Sequence, residues 1–508
     1  MQPISRRQFV QRASLLAAAT TLGTSCSDQS DADAPRAIII GSGFAGSVAA
    51  LRLGQAGIQT TLLERGQEWT LQGPDFFPTL ATSDHRTAWF GEVDGLTGIR
   101  PVTPYAGLIE RVAGDTVDAV GGACLGGGSL VYGGVLLQPR RDIFDQVFSR
   151  IAYDEMDQVY YPRVLQQIGA TSIPDDVLAS DRYLAHRTFL ADAAAAGFET
   201  VRPAASFDWD IVRQELRGEI APAVISSEYI YGCNSGAKLS TDKNYLRDAT
   251  ATGFVEIRTL CEVEMISERN GDYVVTYRRI TAEGEELERR EISADYLFMA
   301  AGSLNTSKIL LRSQAAGELR GANDRIGKGW GTNGDQLMLE GRASPLPGPQ
   351  GGPACISAVD RGTPGYPVVY EHSPANISNI QIQLAMSVPD EFGELGFDAD
   401  GKYTVRWPID TETPSAQARN DSFERLLAQT GGTNFGGFGA RPTIWHPLGG
   451  AVMGDACDDL GQLYGYNNLF VIDGSLLPGS AAGANPAFTI AANAERIMEA
   501  LMPTLGRV

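Results

Sequence analysis

A glycine-rich turn near the start of the chain constrains the fold more than any other feature. The apolar run at residues 37–40 leads into Gly41-Ser42-Gly43-Phe44-Ala45-Gly46, which is followed by the helical segment SVAALRLGQAG and the second apolar run IQTTLLE. Short β-branched runs are typical of strands buried on both faces of a parallel sheet. The order strand, G-x-G-x-x-G turn, helix, strand therefore predicts an α/β fold with a dinucleotide-binding crossover.

Glu64 ends the second predicted strand and supports this interpretation. A carboxylate at that point accepts hydrogen bonds from the adenosine ribose and argues against the 2′-phosphate of NADP. The motif does not distinguish NAD from FAD. A glycine-rich turn that holds no ligand is the alternative.

A second glycine cluster, GGACLGGGSLVYGG at residues 121–134, has Gly126, Gly127, Gly128 and Ser129 at its centre. Such a run predicts backbone amides packed against something flat or anionic.

The remaining patterns divide the chain into two predicted domains. Residues 254–297 alternate with period two, which predicts a β-meander, and a strand-to-helix pattern follows in FMAAGSLNTSKILLR. Near the end, NLFVIDGS predicts a buried strand and PAFTIAANAERIMEAL a helix that begins at a proline. We predict a Rossmann-like cofactor-binding domain and an interleaved α+β substrate-binding domain over a mixed β-sheet. The first takes residues 35–145, 225–344 and 441–508, and the second takes residues 146–224 and 345–440.

The first 30 residues predict an export signal. Arg6 and Arg7 stand in an S-R-R-x-F setting before a weakly apolar stretch, which is typical of a twin-arginine signal and predicts a periplasmic or secreted protein. An amphipathic helix that stays attached is the alternative. Cys26 leaves lipid anchoring as an open alternative.

Charge and cysteine content exclude several classes of function. The net charge of −20 argues against nucleic acid as a partner, because both would be negative. The five cysteines after the signal are scattered and form no C-x-x-C pair, so we expect neither a disulfide framework nor a metal site.

Together, GSGFAG with Glu64, GGGSLVYGG, AAGSLNTSKILLR, and WHPLGG followed by DGSLLPGSAAGANPAFTIAANAERI resemble the glucose-methanol-choline (GMC) oxidoreductases. The chain is most similar to the branch of bacterial cholesterol oxidases that bind FAD non-covalently. The resemblance implies oxidation of a 3β-hydroxysteroid to the 3-ketosteroid, with FAD as cofactor, dioxygen as acceptor and hydrogen peroxide as product. It also admits isomerisation of the Δ5 double bond to Δ4 and transient contact with a sterol-bearing membrane. The sequence leaves the oligomeric state open, with a monomer favoured.

The resemblance assigns three catalytic residues: His446 in WHPLGG, Asn485 in GANPAFTI and Glu371 in VVYEHSP. An imidazole can orient the alcohol, an amide can act on the flavin or substrate without a change in charge, and a desolvated carboxylate can move a proton between sterol carbons. The glycine motifs and the resemblance together assign the cofactor to Gly41, Ser42, Gly43, Phe44, Ala45, Gly46, Glu64, Gly126, Gly127, Gly128, Ser129, Tyr132, Gly133, Val263, Gly302, Asp473, Gly474, Asn485, Pro486 and Phe488.

Each catalytic assignment has a plainer alternative. His446 could be a structural histidine, Asn485 a helix cap, and Glu371 a surface carboxylate. At the level of function, the alternatives are a dehydrogenase of the same family that oxidises another bulky alcohol with a different acceptor, and a non-catalytic sterol-binding flavoprotein. Tyr132, Val135 and Ala451 depart from residues frequent in the family and leave the flavin environment open.

Overall fold

The computed structural model describes residues 36–342, 346, 349–362, 365–372, 379–408, 413–437 and 441–505; the side chains of Glu371 and His372 are outside this description. The predicted export signal at residues 1–30 lies outside the described residues, so it stays a prediction. In the described part, no helix is both long enough and apolar enough to cross a bilayer. Cys124, Cys233, Cys261, Cys355 and Cys457 are buried free thiols.

The strands are β1 (Arg36–Ile40), β2 (Gln59–Leu63), β3 (Ile109–Ala113), β4 (Asp118–Gly122), β5 (Val135–Leu136), β6 (Glu199–Val201), β7 (Ala204–Ala205), β8 (Val255–Arg258), β9 (Cys261–Arg269), β10 (Asp272–Ile280), β11 (Glu286–Ala294), β12 (Tyr296–Met299), β13 (Gln336–Gly341), β14 (Ile356–Val359), β15 (Pro367–His372), β16 (Ile380–Ala385), β17 (Glu394–Phe397), β18 (Tyr403–Arg406), β19 (Thr433–Asn434), β20 (Thr443–Ile444) and β21 (Leu469–Val471).

The α-helices are α1 (Phe44–Gln55), α2 (Gly128–Val131), α3 (Arg141–Val147), α4 (Tyr153–Glu155), α5 (Tyr161–Ile168), α6 (Asp175–Leu178), α7 (Leu184–Ala195), α8 (Trp209–Leu216), α9 (Tyr245–Ala251), α10 (Gly302–Ala315), α11 (Pro414–Thr430) and α12 (Pro486–Leu501). Single turns of 3-10 helix lie at His85–Thr87, Asp181–Tyr183, Val224–Ser226, Thr241–Lys243 and Gly474–Leu476, and a π-helical turn lies at Met156–Tyr160.

A five-stranded parallel sheet forms the centre of the cofactor-binding region. Its order is β21-β12-β1-β2-β8, and every neighbouring pair is parallel. The central strand β1 is buried from Ala37 to Ile40, as its unbroken apolar sequence predicts. Helix α1 connects β1 to β2 and packs against α9 and α12. The predicted α/β class with a Rossmann-like crossover is confirmed.

The predicted β-meander is a three-stranded antiparallel sheet in the order β11-β10-β9. The sequence also assigned VEIR, now β8, to this meander, and that assignment was wrong. Strand β8 instead pairs in parallel with β2 at the edge of the central sheet. One face of β8 is covered and the other is open, with Val255 buried and Glu256 exposed, so its sequence alternates like that of a meander strand.

A second, six-stranded sheet carries the order β19-β13-β16-β15-β14-β6, with antiparallel pairing throughout. Helix α7 packs against β14, and α11 packs against α7 and β13. A separate apolar core fills this layer. The sheet pairs β6 with strands from residues 345–440, which agrees with a substrate-binding domain made of both segments. It also includes β13, which lies in a segment that we predicted to belong to the cofactor-binding domain. The domain boundaries themselves stay a prediction.

Candidate active site

The first glycine turn carries β1 directly into α1, and two of its glycines are required by packing. A Cβ on Gly46 would lie 2.0 Å from the carbonyl oxygen of Gly41, and a Cβ on Gly41 would lie 2.4 Å from the oxygen of Ala300. Gly41 also has a φ of +100°, which favours glycine. These contacts hold the start of α1 against the sheet, so that its free N–H groups face outward at the helix terminus.

The second glycine cluster packs on the first. A Cβ on Gly127 would lie 2.8 Å from the Cα of Gly43. The N–H of Gly126 donates to the hydroxyl of Ser42 over 3.0 Å, and the Ser129 hydroxyl donates to the carbonyl of Gly126 over 2.6 Å. The chain therefore brings the two glycine clusters together at the end of the central sheet.

Glu64 is buried and held in a single orientation beside this pair. Its Oε2 accepts from the hydroxyl of Ser42 over 2.6 Å and from the backbone N–H of Ser42 over 3.1 Å, and its Oε1 accepts from the N–H of Gly66 over 2.8 Å. A carboxylate offers about four acceptor positions, so Glu64 keeps capacity for a ribose hydroxyl.

Asp473 ties the start of α10 to the segment after β21. Its carboxylate accepts from the N–H of Gly302 over 2.8 Å and from the hydroxyl of Thr306 over 2.6 Å, and the N–H and hydroxyl of Ser475 donate to its other oxygen. Burial raises the pKa of Asp473, and these hydrogen bonds oppose that shift. Asp473 therefore fixes Gly302 and Gly474 at one wall of the site.

A cavity of about 400 Å³ opens between these elements. Gly43, Gly121, Gly128 and Gly302 line it, and a Cβ added to any of them would meet no protein atom within 4 Å. Protein packing therefore does not require glycine at Gly43, Gly121 or Gly128, but a bound group close to the backbone would. This cradle, with a helix N-terminus and the carboxylate of Glu64, fits a dinucleotide.

Another part of the cavity lining is apolar and comes partly from the second sheet. Its side chains include Leu80, Ile230, Leu337, Val369, Ile382 and Leu384. The same cavity can therefore hold a polar cofactor against backbone and a bulky apolar molecule against side chains.

His446 lines this cavity and is held by Asp335. The Nδ1 of His446 lies 2.7 Å from Oδ1 of Asp335. Oδ2 of Asp335 accepts the backbone N–H groups of His446 and Trp445, each over 3.0 Å. The Asp335 side chain is 1% exposed and that of His446 is 16% exposed. The imidazole is thus anchored on one side while its remaining edge borders the cavity.

Asn485 lines the same cavity and sits at the N-cap of α12, but its side chain makes no capping hydrogen bond. Its Oδ1 is buried and has no partner among the described residues. Capping therefore does not account for an asparagine here. A buried amide oxygen left unpaired costs about 1–3 kcal/mol, which favours a ligand-directed role.

For Glu371, the third catalytic candidate, the structure describes only the backbone position. Glu371 belongs to β15 and pairs with Ile382 in β16, and Ile382 lines the cavity. The Glu371 side chain lies outside the described part of the chain, so its catalytic role stays a prediction.

Most residues assigned to the cofactor line the cavity. They are Gly41, Ser42, Gly43, Phe44, Ala45, Glu64, Gly127, Gly128, Tyr132, Gly133, Val263, Gly302, Asp473, Gly474, Asn485 and Pro486. Gly46, Gly126, Ser129 and Phe488 are not among the lining residues. Gly46 packs against Gly41, Gly126 donates to Ser42, and the Phe488 ring packs on Tyr161 with centroids 4.5 Å apart.

Several residues at the site could not be predicted from the sequence. Asp335 is remote in sequence from His446 and belongs to none of the recognised motifs. Arg65, Lys308 and Arg312 add positive charge to the cavity wall. Arg65 directly follows Glu64, so its position at the end of β2 was the available signal.

Arg65 forms an ion pair with Glu110 over 2.9 Å, and the Asn305 amide donates to the same carboxylate over 2.8 Å. Burial by itself would raise the pKa of Glu110, but the charge and hydrogen bond of Arg65 outweigh it and lower that pKa to about 2. The pair fixes Arg65 at the cavity. Among the described residues, no group of three or more His, Cys, Asp or Glu side chains is arranged to hold a metal.

Two named relatives match nearly the whole chain. A cholesterol oxidase of Mycobacterium tuberculosis is 26% identical, with 90% of this chain and 89% of the relative covered. A cholesterol oxidase of Acinetobacter baumannii is 24% identical, with 91% and 93% covered.

Solved structures share the fold. Pyridoxine 4-oxidase from Mesorbium loti superposes with a TM-score of 0.64 at 18% identity, over 92% of this chain and 99% of that one. A fungal aryl-alcohol oxidase gives 0.63 at 14% identity, over 93% and 99%. An FAD-dependent oxidoreductase from Chaetomium thermophilum gives 0.65 at 14% identity, over 92% and 99%.

The family models decide the assignment. The N-terminal GMC oxidoreductase model matches residues 36–330 and the C-terminal model matches residues 411–494, so together they span most of the chain and both glycine clusters. The protein belongs to the GMC oxidoreductase family and uses FAD as its cofactor.

Proposed function

We propose that this GMC oxidoreductase oxidises a 3β-hydroxysteroid such as cholesterol to the 3-ketosteroid and reduces dioxygen to hydrogen peroxide. One observation carries the proposal: His446 and Asn485 line the same cavity as a glycine cradle that fits FAD and an apolar wall that suits a bulky, hydrophobic alcohol. The two similar cholesterol oxidases, which match about nine-tenths of the chain, support the same substrate class.

Different residues would hold the pyrophosphate, the ribose and the flavin of FAD. The turn at residues 41–46 and the start of α1 suit its pyrophosphate, and Glu64 suits the ribose. Gly127, Gly128 and the start of α12 suit the flavin end, where backbone N–H groups and a helix dipole favour added negative charge. When bound, FAD supplies the hydride acceptor and the route of electrons to dioxygen.

The protein side chains supply orientation and proton handling. Oxidation of a secondary alcohol removes a hydride from carbon and a proton from oxygen. An imidazole beside the substrate hydroxyl can orient that group and take its proton, which is the role we assign to His446. The Asn485 amide can hydrogen-bond in the closed site without adding charge. The apolar wall excludes water and so strengthens both interactions.

We further propose that Glu371 carries out isomerisation by taking a proton from sterol C4 and returning it at C6. Its support is the similarity in VVYEHSP and the pairing of Glu371 with the cavity residue Ile382. Glu371→Gln is expected to retain alcohol oxidation but to release the unconjugated 3-keto-Δ5 product, detected by the missing absorbance of the conjugated enone. Formation of the conjugated product at the wild-type rate would remove Glu371 from this role.

A substrate panel tests the proposal. FAD-loaded protein is incubated with cholesterol, with its 3α-epimer as matched control, and with benzyl alcohol and pyridoxine, because the shared fold also serves proteins named for such alcohols. Peroxide from cholesterol but not from the 3α-epimer is expected. Peroxide from a small alcohol alone would replace the sterol assignment, and ketone formation with an added acceptor but without peroxide would establish a dehydrogenase. No turnover of any alcohol would favour a binding protein.

A further inference from the structure

Among the described residues, every hydrogen bond made by the Asp335 side chain is directed at the segment that carries His446. Its Oδ2 accepts two backbone N–H groups, from Trp445 and His446, and its Oδ1 faces Nδ1 of the imidazole at 2.7 Å. Backbone N–H groups can only donate, so they fix which way the carboxylate faces.

The hydrogen bonds to the Asp335 side chain suit a carboxylate. Its Oδ2 accepts two backbone N–H groups, and such bonds are stronger when the acceptor is charged. Arg419 lies in α11, which packs on β13, and it interacts electrostatically with Asp335. Burial lowers the pKa of Arg419, and the charge of Asp335 opposes that shift. Arg419 is itself held by the Ser387 hydroxyl over 2.7 Å and the Gln336 amide oxygen over 3.1 Å.

At 2.7 Å an ionised carboxylate must accept a hydrogen bond from Nδ1–H, because neither a carboxylate nor an unprotonated ring nitrogen can donate one. The neutral imidazole of His446 then carries its hydrogen on Nδ1, and its Nε2 presents a lone pair. The opposite tautomer would present an N–H and could only donate to the substrate oxygen.

We propose that Asp335 is a positioning residue that holds His446 in the Nδ1–H tautomer, which makes Nε2 the proton acceptor for the substrate hydroxyl. This inference rests on the proposed alcohol oxidation. As the substrate O–H bond breaks, an Nε2–H bond forms and the electron pair of the O–H bond becomes the second bond of the ketone; FAD, when bound, would supply the acceptor for the hydride of the carbinol carbon. The imidazolium that results is stabilised by the adjacent negative charge of Asp335.

The variant Asp335→Asn should change the tautomer of His446 without disturbing the fold. The amide oxygen of asparagine can keep both backbone hydrogen bonds, while its NH₂ donates to Nδ1 and so forces the proton onto Nε2. We expect FAD binding, thermal stability and sterol KM to stay close to wild type, and kcat to fall by about 10²- to 10⁴-fold. Asp115→Asn is the matched control, since exposed Asp115 also accepts two backbone N–H groups, from Thr116 and Trp407.

A second readout needs no turnover. In FAD-loaded protein with ¹⁵N-labelled histidine, the His446 resonances are assigned by their loss in His446→Gln. The wild type and Asp115→Asn are expected to show a protonated Nδ1 and an unprotonated Nε2, and Asp335→Asn the reverse. An Nε2–H tautomer in the wild type, an unchanged tautomer in Asp335→Asn, or a wild-type kcat in that variant would overturn the proposal.

These measurements also distinguish the two proposals. If wild-type protein oxidises no sterol but shows the Nδ1–H tautomer, the sterol assignment fails and the tautomer assignment stands. If Asp335→Asn does not fold, the wild-type spectrum alone decides the tautomer.

Discussion

The side chain of Asn333 holds the backbone immediately before Asn485. Its Nδ2 donates to the carbonyl of Ala484 over 2.9 Å, and its Oδ1 accepts the N–H of Ala481 over 2.8 Å. Asn333 is fully buried and lies two residues before Asp335, which anchors His446. One short segment therefore helps to position both His446 and Asn485.

Asn333→Asp tests this relationship. The change keeps the shape of the side chain but places an acceptor against the carbonyl of Ala484, which should lower the free energy of unfolding by about 1–3 kcal/mol. Because the loop before Asn485 loosens, we expect kcat to fall more than KM rises. Steady-state kinetics and chemical denaturation measure both effects.

Asn270→Asp is the control for that variant. Asn270 has nearly the same φ, +57° against +54° for Asn333, but it is exposed. Equal effects of the two substitutions would contradict a specific role for Asn333.

Two alanine substitutions in the first glycine turn should have different effects. Gly43→Ala adds a Cβ that meets no protein atom, so the FAD-free protein should keep its stability while its affinity for FAD falls by about tenfold or more, or about 1.4 kcal/mol. Gly46→Ala drives a Cβ to 2.0 Å from the carbonyl of Gly41 and should destabilise the protein with or without FAD. Thermal unfolding and FAD fluorescence titration separate the two. Unchanged FAD affinity in Gly43→Ala would count against the cradle.

His446→Gln should lower the rate of flavin reduction by about 10²- to 10⁴-fold, because the imidazole that takes the hydroxyl proton is lost. FAD should remain bound, since the glycine cradle is untouched. His85→Gln is the matched control, because His85 is exposed and packs edge-on against Tyr105. Rapid-mixing absorbance measures the rate, and a His446 variant that reduces at the wild-type rate would contradict the assignment.

The central crossover could be predicted because its signals are local. Strand β1, the glycine turn and α1 follow one another in the chain, and α12 begins at Pro486 where the sequence predicted it. By contrast, Asp335 lies 111 residues from His446 and meets it only through packing of the second sheet. The role of Asn485 was ambiguous in the sequence, because an asparagine before a helix suits a cap equally well; the structure shows that its side chain caps nothing.

The ion pair of Glu110 with Arg65 predicts a pH dependence of stability. The folded-state pKa of Glu110 is about 2, below the ordinary value of 4.5, so its stabilisation is complete above about pH 4.5 and is lost as pH falls toward 2. Glu110→Gln should lower the free energy of unfolding at pH 7 by on the order of 3 kcal/mol. The difference from wild type should shrink as the pH is lowered.

Denaturant titrations between pH 7 and pH 3 check this dependence. Glu256→Gln is the control, since Glu256 pairs with Arg258 at the surface with a side chain 60% exposed, and such pairs contribute little. A Glu110→Gln deficit that does not change with pH would show that the ion pair is not its source.

The decisive experiment is anaerobic mixing of FAD-loaded protein with cholesterol. We expect the oxidised-flavin absorbance to be bleached, the sterol 3-ketone to form in equal amount, and air to restore the absorbance with release of hydrogen peroxide. Flavin that stays oxidised with cholesterol and other 3β-hydroxysteroids, in protein that retains bound FAD, would contradict the sterol oxidase assignment.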